Sequence, residues 1–541
     1  MLNITTKENH KDKITKHLPP NWLRLLMIIL LVLAIFFRCV NVEKKLYWHD
    51  EAYTSLRISG YTKSELVNEV FNGNIMPIES LKKFQRTNSE TGLIDTINSL
   101  AVDDAQHPPL YYVILKLWMQ IFGDSVASAR SLSIIISLLS LPCIYWLCLE
   151  LFDSPITAWM SVALMSVSPF HVLYAQEARQ FCLWIFITLL SSAVLLRAIR
   201  TGSRKIWSFY ALTVALGLYT FLFSLLVSTS HGIYVLIREK FRFTKQFKSY
   251  LVATTIGCIS FIPWILIIIN NLSVIDKSTA TAQLKQSLSV LVSTWTRNIG
   301  YLFGDFWVYE QFLPDWNLSL LRLGRFLVPL FLILVVYSFI FLYRRTSLRI
   351  WLFVFLLSGV SALGLILPDV ILGGKLSIRP RYVIPCYLGI QLSIAYLLAT
   401  QIIASQEIVR KFWKSVLVLL ISIGIVSCVV SSQADGWWIK GRNTNIQIAR
   451  IINKSANPLL VSNTYSLNIG NLMSLSHLLN DKVHIQLGLD TDPTLPKIAD
   501  GFSDIFLYSP SPELKSGLEK EYKLDTVYKA GKLSRLEKKV E

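Results

Sequence analysis

The feature that most limits this chain is a succession of long apolar runs separated by short charged ones. Crossing a hydrocarbon core roughly 30 Å thick takes about 20 apolar residues in a helix. Nine runs reach that scale: 22–40, 129–150, 156–173, 180–199, 249–270, 326–343, 349–367, 381–399 and 414–432. The stretch 206–238 is too long for one span and reads as two short ones turning near Tyr219–Leu222, for eleven in all. Composition agrees: 53% of the 541 residues are hydrophobic and 16% charged, against about 25% charged in soluble domains. Disorder and a single soluble domain are thereby excluded, and a polytopic α-helical membrane protein is expected.

The net charge of +18 need not mean nucleic acid, because cytoplasmic loops of membrane proteins concentrate Lys and Arg. Residues 110–122 test the topology. They lie between Pro109 and Gly123, and thirteen helical residues reach only about 20 Å. If this run does not cross, the segments 1–21, 200–205, 238–248, 344–349 and 410–414 all fall inside, with eighteen basic residues. The short outer connections then hold only Arg179, Lys375, Arg379 and Arg381. Residues 110–122 are therefore expected to lie along the outer surface as an interfacial helix. The same bookkeeping makes 1–21 a cytoplasmic segment and 22–432 the membrane domain, with outer loops 41–128 and 271–325. It leaves 433–541 outside. In that tail, apolar runs at 459–461, 483–487 and 505–508 alternate with helical patterns at 446–452 and 467–479. That is the signature of a small α/β domain.

The seven cysteines lie in or beside apolar runs, with no CxxC or Cys/His spacing, so zinc and dithiol chemistry are excluded. The run Leu23–Phe37 lacks a small-residue cleavage site and reads as a retained first span.

Four polar clusters map to the outer side. Asp50 and Glu51, within Trp48–Tyr53, are adjacent carboxylates suited to general-base work or to holding a cation. His107 is held by Pro108 and Pro109 at the start of the surface helix, in position to touch a phosphate or donate a proton. Glu177 and Arg179 occupy a short turn between two spans, either aimed at a ligand or paired with each other. Arg379, Arg381 and Tyr382 open the tenth span, where an arginine pair suits a phosphate or diphosphate, or anchors to headgroups. His49, Asp50, Glu51, Asp104 and His107 can be grouped as a divalent-cation site, although their spacing is not that of a known ligand set. No cofactor is required by any motif, and a divalent cation is one possibility. A site on this rim would face a lipid-borne phosphate and an acceptor from the aqueous side. A polytopic lipid or glycan transporter, or a non-catalytic envelope assembly protein, is the competing reading; charge-free span centres and unmatched halves count against the transporter.

Taken in order, WHDEAYT at 48–54, HPPLYY at 107–112, IFGDSVASAR at 121–130, SPFHVLYAQEAR at 168–179 and RPRYVIP at 379–385 resemble the GT-C membrane glycosyltransferases. The likeness is to bacterial members of glycosyltransferase family 39, relatives of protein O-mannosyltransferases and lipid A aminoarabinose transferases, and covers roughly residues 20–400. It implies a polyprenyl-phosphate-linked sugar donor, a lipid, glycan or protein acceptor, and inverting transfer at the extracytoplasmic face of a bacterial inner membrane. Asp50 matches the acidic residue taken as general base, and Glu51 completes that motif with Tyr53 beside it. His107 stands where relatives place a phosphate-contacting group. Glu177 and Arg179 match the second outer turn, and Arg381 matches the arginine of an Arg-Tyr pair near the donor phosphate. Phe221 stands where many relatives have a histidine. The lectin-like domain of eukaryotic mannosyltransferases is not matched by any segment.

Overall fold

The computed structural model describes residues 21–88, 90–279, 285–308, 323–440, 444–491, 498 and 501–539. The proposed cytoplasmic segment therefore lies almost wholly outside the described residues. Among them, seven helices are long and apolar enough to cross a membrane: Trp22–Cys39, Val126–Phe152, Phe181–Thr201, Arg325–Arg345, Leu348–Ile371, Ile384–Gln401 and Glu407–Gln433. Two bent pairs raise this to nine if each is one span. Pro155–Ser166 turns by 61° into Pro169–Ala175, and Lys245–Ile259 by 48° into Ile262–Asn270. Each second helix carries proline in its first turn, where the ring removes a backbone donor; before Pro169 the backbone of Ser168 is extended. The stretch 206–238 is broken, as helices Arg204–Thr220 and Ser224–Arg238 of 17 and 15 residues. Both are shorter than the other spans, so the length criterion reaches nine rather than the expected eleven. The lipid-facing helices expose their apolar side chains, as at Ile28, Ile333 and Val418, while one large cluster fills the interior. These features make the chain an integral membrane protein.

Above the bundle, the polar segments fold into short helices. Helix α1, His49–Ser59, starts at Trp48 with Asp50 and Glu51 in its first turn and stops at Gly60, whose φ of +90° is the left-handed conformation glycine accepts. Arg57 near its end is tied to Asp103 at 2.6 Å. Helix α2, Leu110–Phe122, is bounded by Pro109 and by Gly123 at φ +87°.

The tail forms most of a six-stranded sheet of order β1-β3-β2-β4-β6-β5. Its strands are β1 Ile75–Pro77, β2 Pro458–Asn463, β3 His484–Gly488, β4 Asp504–Tyr508, β5 Tyr522–Tyr528 and β6 Leu533–Lys538. β2, β3 and β4 are parallel, and β6 with β5 forms an antiparallel hairpin on one edge. β2 is wholly buried and reads Pro-Leu-Leu-Val-Ser-Asn, as a strand covered on both faces should. The sheet is not confined to the tail: β1 comes from the long connection between the first two apolar helices and pairs antiparallel with β3. Helix α3, Asn468–Ser476, follows β2 and packs on α1; helix α4, Pro512–Glu521, follows β4.

Candidate functional site

The site grows from the first turn of α1. Successive residues on a helix point about 100° apart, so Asp50 and Glu51 face different surroundings. Glu51 turns inward and is fully buried. Arg130 grips it with two bonds, Nε to Oε1 at 2.8 Å and Nη2 to Oε2 at 2.7 Å. Lys440 Nζ donates to Oε2 at 2.9 Å, the Ala178 amide to Oε1 at 2.9 Å and the Trp48 amide to Oε2 at 3.4 Å. Burial alone would raise this carboxyl; Arg130 and Lys440 outweigh it and hold the pKa near 2. Lys440 is pulled down to about 8, chiefly by burial.

Asp50 faces the rim, with its side chain 17% exposed. Its Oδ2 accepts from Arg381 Nη1 at 2.9 Å, and its Oδ1 lies 3.0 Å from His49 Nε2. Burial opposes ionisation here too, but Arg381, His49 and Arg179 together keep the carboxyl well below the usual carboxylate range. Arg381 sits among the rings of Phe181, Tyr382 and Trp48, at 5.4, 5.4 and 5.9 Å, an arrangement that attracts a guanidinium.

Arg179 is the hub between these residues and the start of α2. Its Nη1 donates to the Asp50 carbonyl at 3.3 Å, to Thr54 Oγ1 at 3.1 Å and to Tyr112 Oη at 3.3 Å. Its Nη2 reaches His107 Nε2 at 3.2 Å. An arginine only donates, so Nε2 accepts; the imidazole is then neutral, with Nδ1–H donating to Asp104 Oδ1 at 2.9 Å. Glu177, in the same turn as Arg179, points elsewhere. Its Oε1 accepts from Trp48 Nε1 at 2.9 Å while Oε2 has no partner. Burial, with Glu51 nearby, raises it to about 7.

The structure thus brings Asp50, Glu51, His107, Glu177, Arg179 and Arg381 to one place; Tyr53, also named from the sequence, has Arg57 over its ring at 5.9 Å and packs against Gly470 of α3. Tyr382 joins through its ring, which lies 5.7 Å from Phe221 and 5.3 Å from Phe223. Phe221, in the position of the relatives' histidine, is an apolar wall packed on Trp184 at 4.7 Å. Arg379 is set apart: its guanidinium lies over the Tyr382 ring at 5.9 Å and has no carboxylate within ion-pair distance among the described residues. Of the two readings of this turn, the local Glu177–Arg179 pair does not form, because Arg179 turns to His107 and α1.

The cation grouping does not fit. Glu51 has every oxygen taken by a donor, Asp50 is held by Arg381 and His49, and Asp104 by His107. Among the described residues no three His, Cys, Asp or Glu side chains are arranged to hold a metal ion. Sequence reading missed Arg130 and Lys440 as site residues. Arg130 lay within a quoted motif, whereas Lys440 carried no signal, being one lysine beyond the last span.

Residues 106–267 match the family described as dolichyl-phosphate-mannose-protein mannosyltransferase. No curated protein matches the chain. Among solved structures, ArnT from Cupriavidus metallidurans in the apo state superposes with a TM-score of 0.57 at 11% identity, covering 95% of this chain and 97% of that one. The same protein bound to undecaprenyl phosphate superposes with a TM-score of 0.51 at 12% identity, with the same coverage. In fold along nearly its whole length, and in sequence over residues 106–267, the chain resembles the GT-C membrane glycosyltransferases.

Proposed function

We propose that this protein is a membrane glycosyltransferase that moves a sugar from a polyprenyl-phosphate donor to a hydroxyl or amine of a lipid, glycan or protein acceptor. The observation that carries the reading is the convergence of Asp50, His107, Arg179 and Arg381, from four separate segments, on one partly open rim. The matched solved structure of an ArnT holds undecaprenyl phosphate, which supports the donor class. The charge bias of the loops supports an extracytoplasmic location for this rim and for the sheet, in a bacterial inner membrane, with α2 lying on the surface.

In this reading Arg381 and Arg179 neutralise the donor phosphate, and the rings around Arg381 exclude water and strengthen that interaction. Arg379 stands at the entrance. Arg381 is also the partner that most depresses Asp50. A phosphate that takes Arg381 therefore frees the Asp50 carboxylate and raises its basicity at the moment the donor is in place. The acceptor O–H then attacks the anomeric carbon, its proton passes to Asp50, and the bond to the phosphate oxygen breaks in line, inverting the anomeric centre. His107 and Asp104 hold Arg179 in orientation. Glu51, expected from the sequence to share the chemistry, is a positioning residue: its oxygens are saturated, so it anchors the turn that presents Asp50.

The test is transfer in vitro from a panel of polyprenyl-phosphate sugars by the purified chain with membrane extract as acceptor. Sugar release from at least one donor, abolished in Asp50→Asn, is expected. Absence of release from every donor overturns the reading, and full activity of Asp50→Asn removes Asp50 from the mechanism.

A further inference from the structure

The end of the bundle away from the Asp50 rim carries a groove that the reaction above does not use. Arg130, which grips Glu51, and Glu150 lie twenty residues apart on one helix, Val126–Phe152. At 1.5 Å per residue the separation is about 30 Å, the thickness of the hydrocarbon core. Around Glu150 the chain gathers cations. Arg200 holds the carboxylate through Nε and Nη2, both at 2.9 Å, and Arg197 reaches it at 3.2 Å. Arg349 donates to the Glu150 and Leu151 carbonyls at 3.1 and 3.4 Å. Tyr396, stacked on Phe152 at 5.2 Å, donates to the Arg345 carbonyl at 3.4 Å, which brings Arg344 and Arg345 to the same end. Neither of these two side chains pairs with a carboxylate among the described residues, and Asp153, three residues after Glu150, pairs with none of the five arginines. This end therefore keeps an excess of positive charge.

The groove starts from that excess. Leu348–Ile371 follows Arg325–Arg345 after a two-residue turn, and between the two helices lies an open cavity of about 620 Å³, within the range of binding clefts, about 300–1,000 Å³. Val335, Phe339, Ile340 and Phe355 line its apolar part, and Tyr343 and Arg344 its end. The wall is a chain of rings: Phe339 on Phe355 at 5.1 Å, Phe355 on Trp351 at 5.6 Å and Trp351 on Tyr343 at 5.1 Å. One turn past Phe355, a Cβ added to Gly359 would meet nothing within 4 Å, so that face stays open as well. Ile340 and Tyr343 are 45% and 57% exposed, so the groove is reached from the side. The helical rise from Val335 to Arg344 is about 14 Å, close to the depth of one leaflet.

An apolar trough one leaflet deep, ending at an unpaired guanidinium, matches a phosphate carried on an acyl chain. The surrounding arginines disfavour a headgroup that adds an ammonium of its own. The depth suits an acyl chain and stops where a polyprenyl chain would continue. We propose that the groove between Arg325–Arg345 and Leu348–Ile371 is a site for one anionic diacyl phospholipid, with an acyl chain along Phe339 and Phe355 and the phosphate on Arg344. The site is independent of the reaction at Asp50.

Native mass spectrometry of the full chain in detergent tests it, with dioleoyl-phosphatidylglycerol, dioleoyl-phosphatidylethanolamine and undecaprenyl phosphate added one at a time. Phosphatidylglycerol is expected to bind about fivefold more tightly than phosphatidylethanolamine, the effect of about one arginine at a membrane surface. Arg344→Glu removes that preference. Ile340→Trp fills the trough and weakens phosphatidylglycerol about fourfold, the worth of about one buried methylene. Both side chains are exposed, so both variants keep the fold, which an unchanged unfolding temperature checks. Equal binding of the two phospholipids, a preference undiminished in Arg344→Glu, or unaltered phosphatidylglycerol binding in Ile340→Trp overturns the proposal. Undecaprenyl phosphate is expected to bind the Arg344→Glu variant as it binds the wild type; a loss equal to that of phosphatidylglycerol also overturns the proposal, because the groove would then be a polyprenyl-phosphate site.

Discussion

Asp50 and Glu51 are neighbours in sequence and have the same charge, yet the two sides of their helical turn are different regions of the molecule. On the Glu51 side everything is buried and paired: two cations and two backbone amides converge on one carboxylate. On the Asp50 side the groups are partly exposed, and the carboxylate has one cation, Arg381, at 2.9 Å and His49 at 3.0 Å. A buried ion pair whose donors are all satisfied resists change, whereas one at a rim is exchangeable. In the proposed glycosyltransferase reading the first region sets geometry and the second does the chemistry.

The comparison can be broken by experiment. The largest expected effect is on the exchangeable side: Asp50→Asn lowers transfer about 10²–10⁴-fold and leaves the melting temperature within a few degrees. A large loss of stability in place of the loss of rate would make Asp50 structural. The mirror-image result is expected from Glu51→Gln, which strands Arg130 and Lys440 and costs about 3–5 kcal/mol of stability, read by thermal unfolding in detergent; unchanged stability would dissolve the distinction between the two sides. Arg381→Ala lowers transfer about 10²–10³-fold, with the loss appearing in kcat/KM for the donor. Should donor KM and kcat both survive, Arg381 does not meet the phosphate. Gly470→Ala forces a Cβ against Tyr53 and His49 and costs about 1–3 kcal/mol, checked by the same unfolding measurement; a neutral result would loosen the tail from α1. The smallest effect concerns pH. Glu177 has a raised pKa, near 7. Its contribution to stability is therefore fully present below the ordinary glutamate range near pH 4.5 and is lost as the pH rises through about 7. Glu177→Gln is expected to flatten that decline, and an unaltered pH profile of the unfolding temperature would show that Glu177 stays ionised.

Much of this architecture was legible in the chain. The apolar runs required a bundle because unpaired backbone groups are too costly in lipid. The tail pattern at 459–461, 483–487 and 505–508 became β2, β3 and β4, since a period of apolar runs between helical stretches is a local property. Arg130, Lys440 and β1 were not legible. Ile75–Pro77 is three residues with no strand pattern of its own; it is a strand only because the edge of β3 is there to pair with.

The sequence by itself determined which segments are apolar enough to enter a membrane, where prolines and glycines break them, and which ionisable groups are left outside, because hydropathy and backbone restriction act over a few residues. Only the tertiary structure decided that Glu51 is locked by Lys440 from nearly four hundred residues away, that Arg179 serves His107 rather than Glu177, and that the tail rests on the helix bearing Asp50. Those outcomes depend on which distant groups pack together, and the free energy of pairing a buried charge exists only once its partner has been brought within reach.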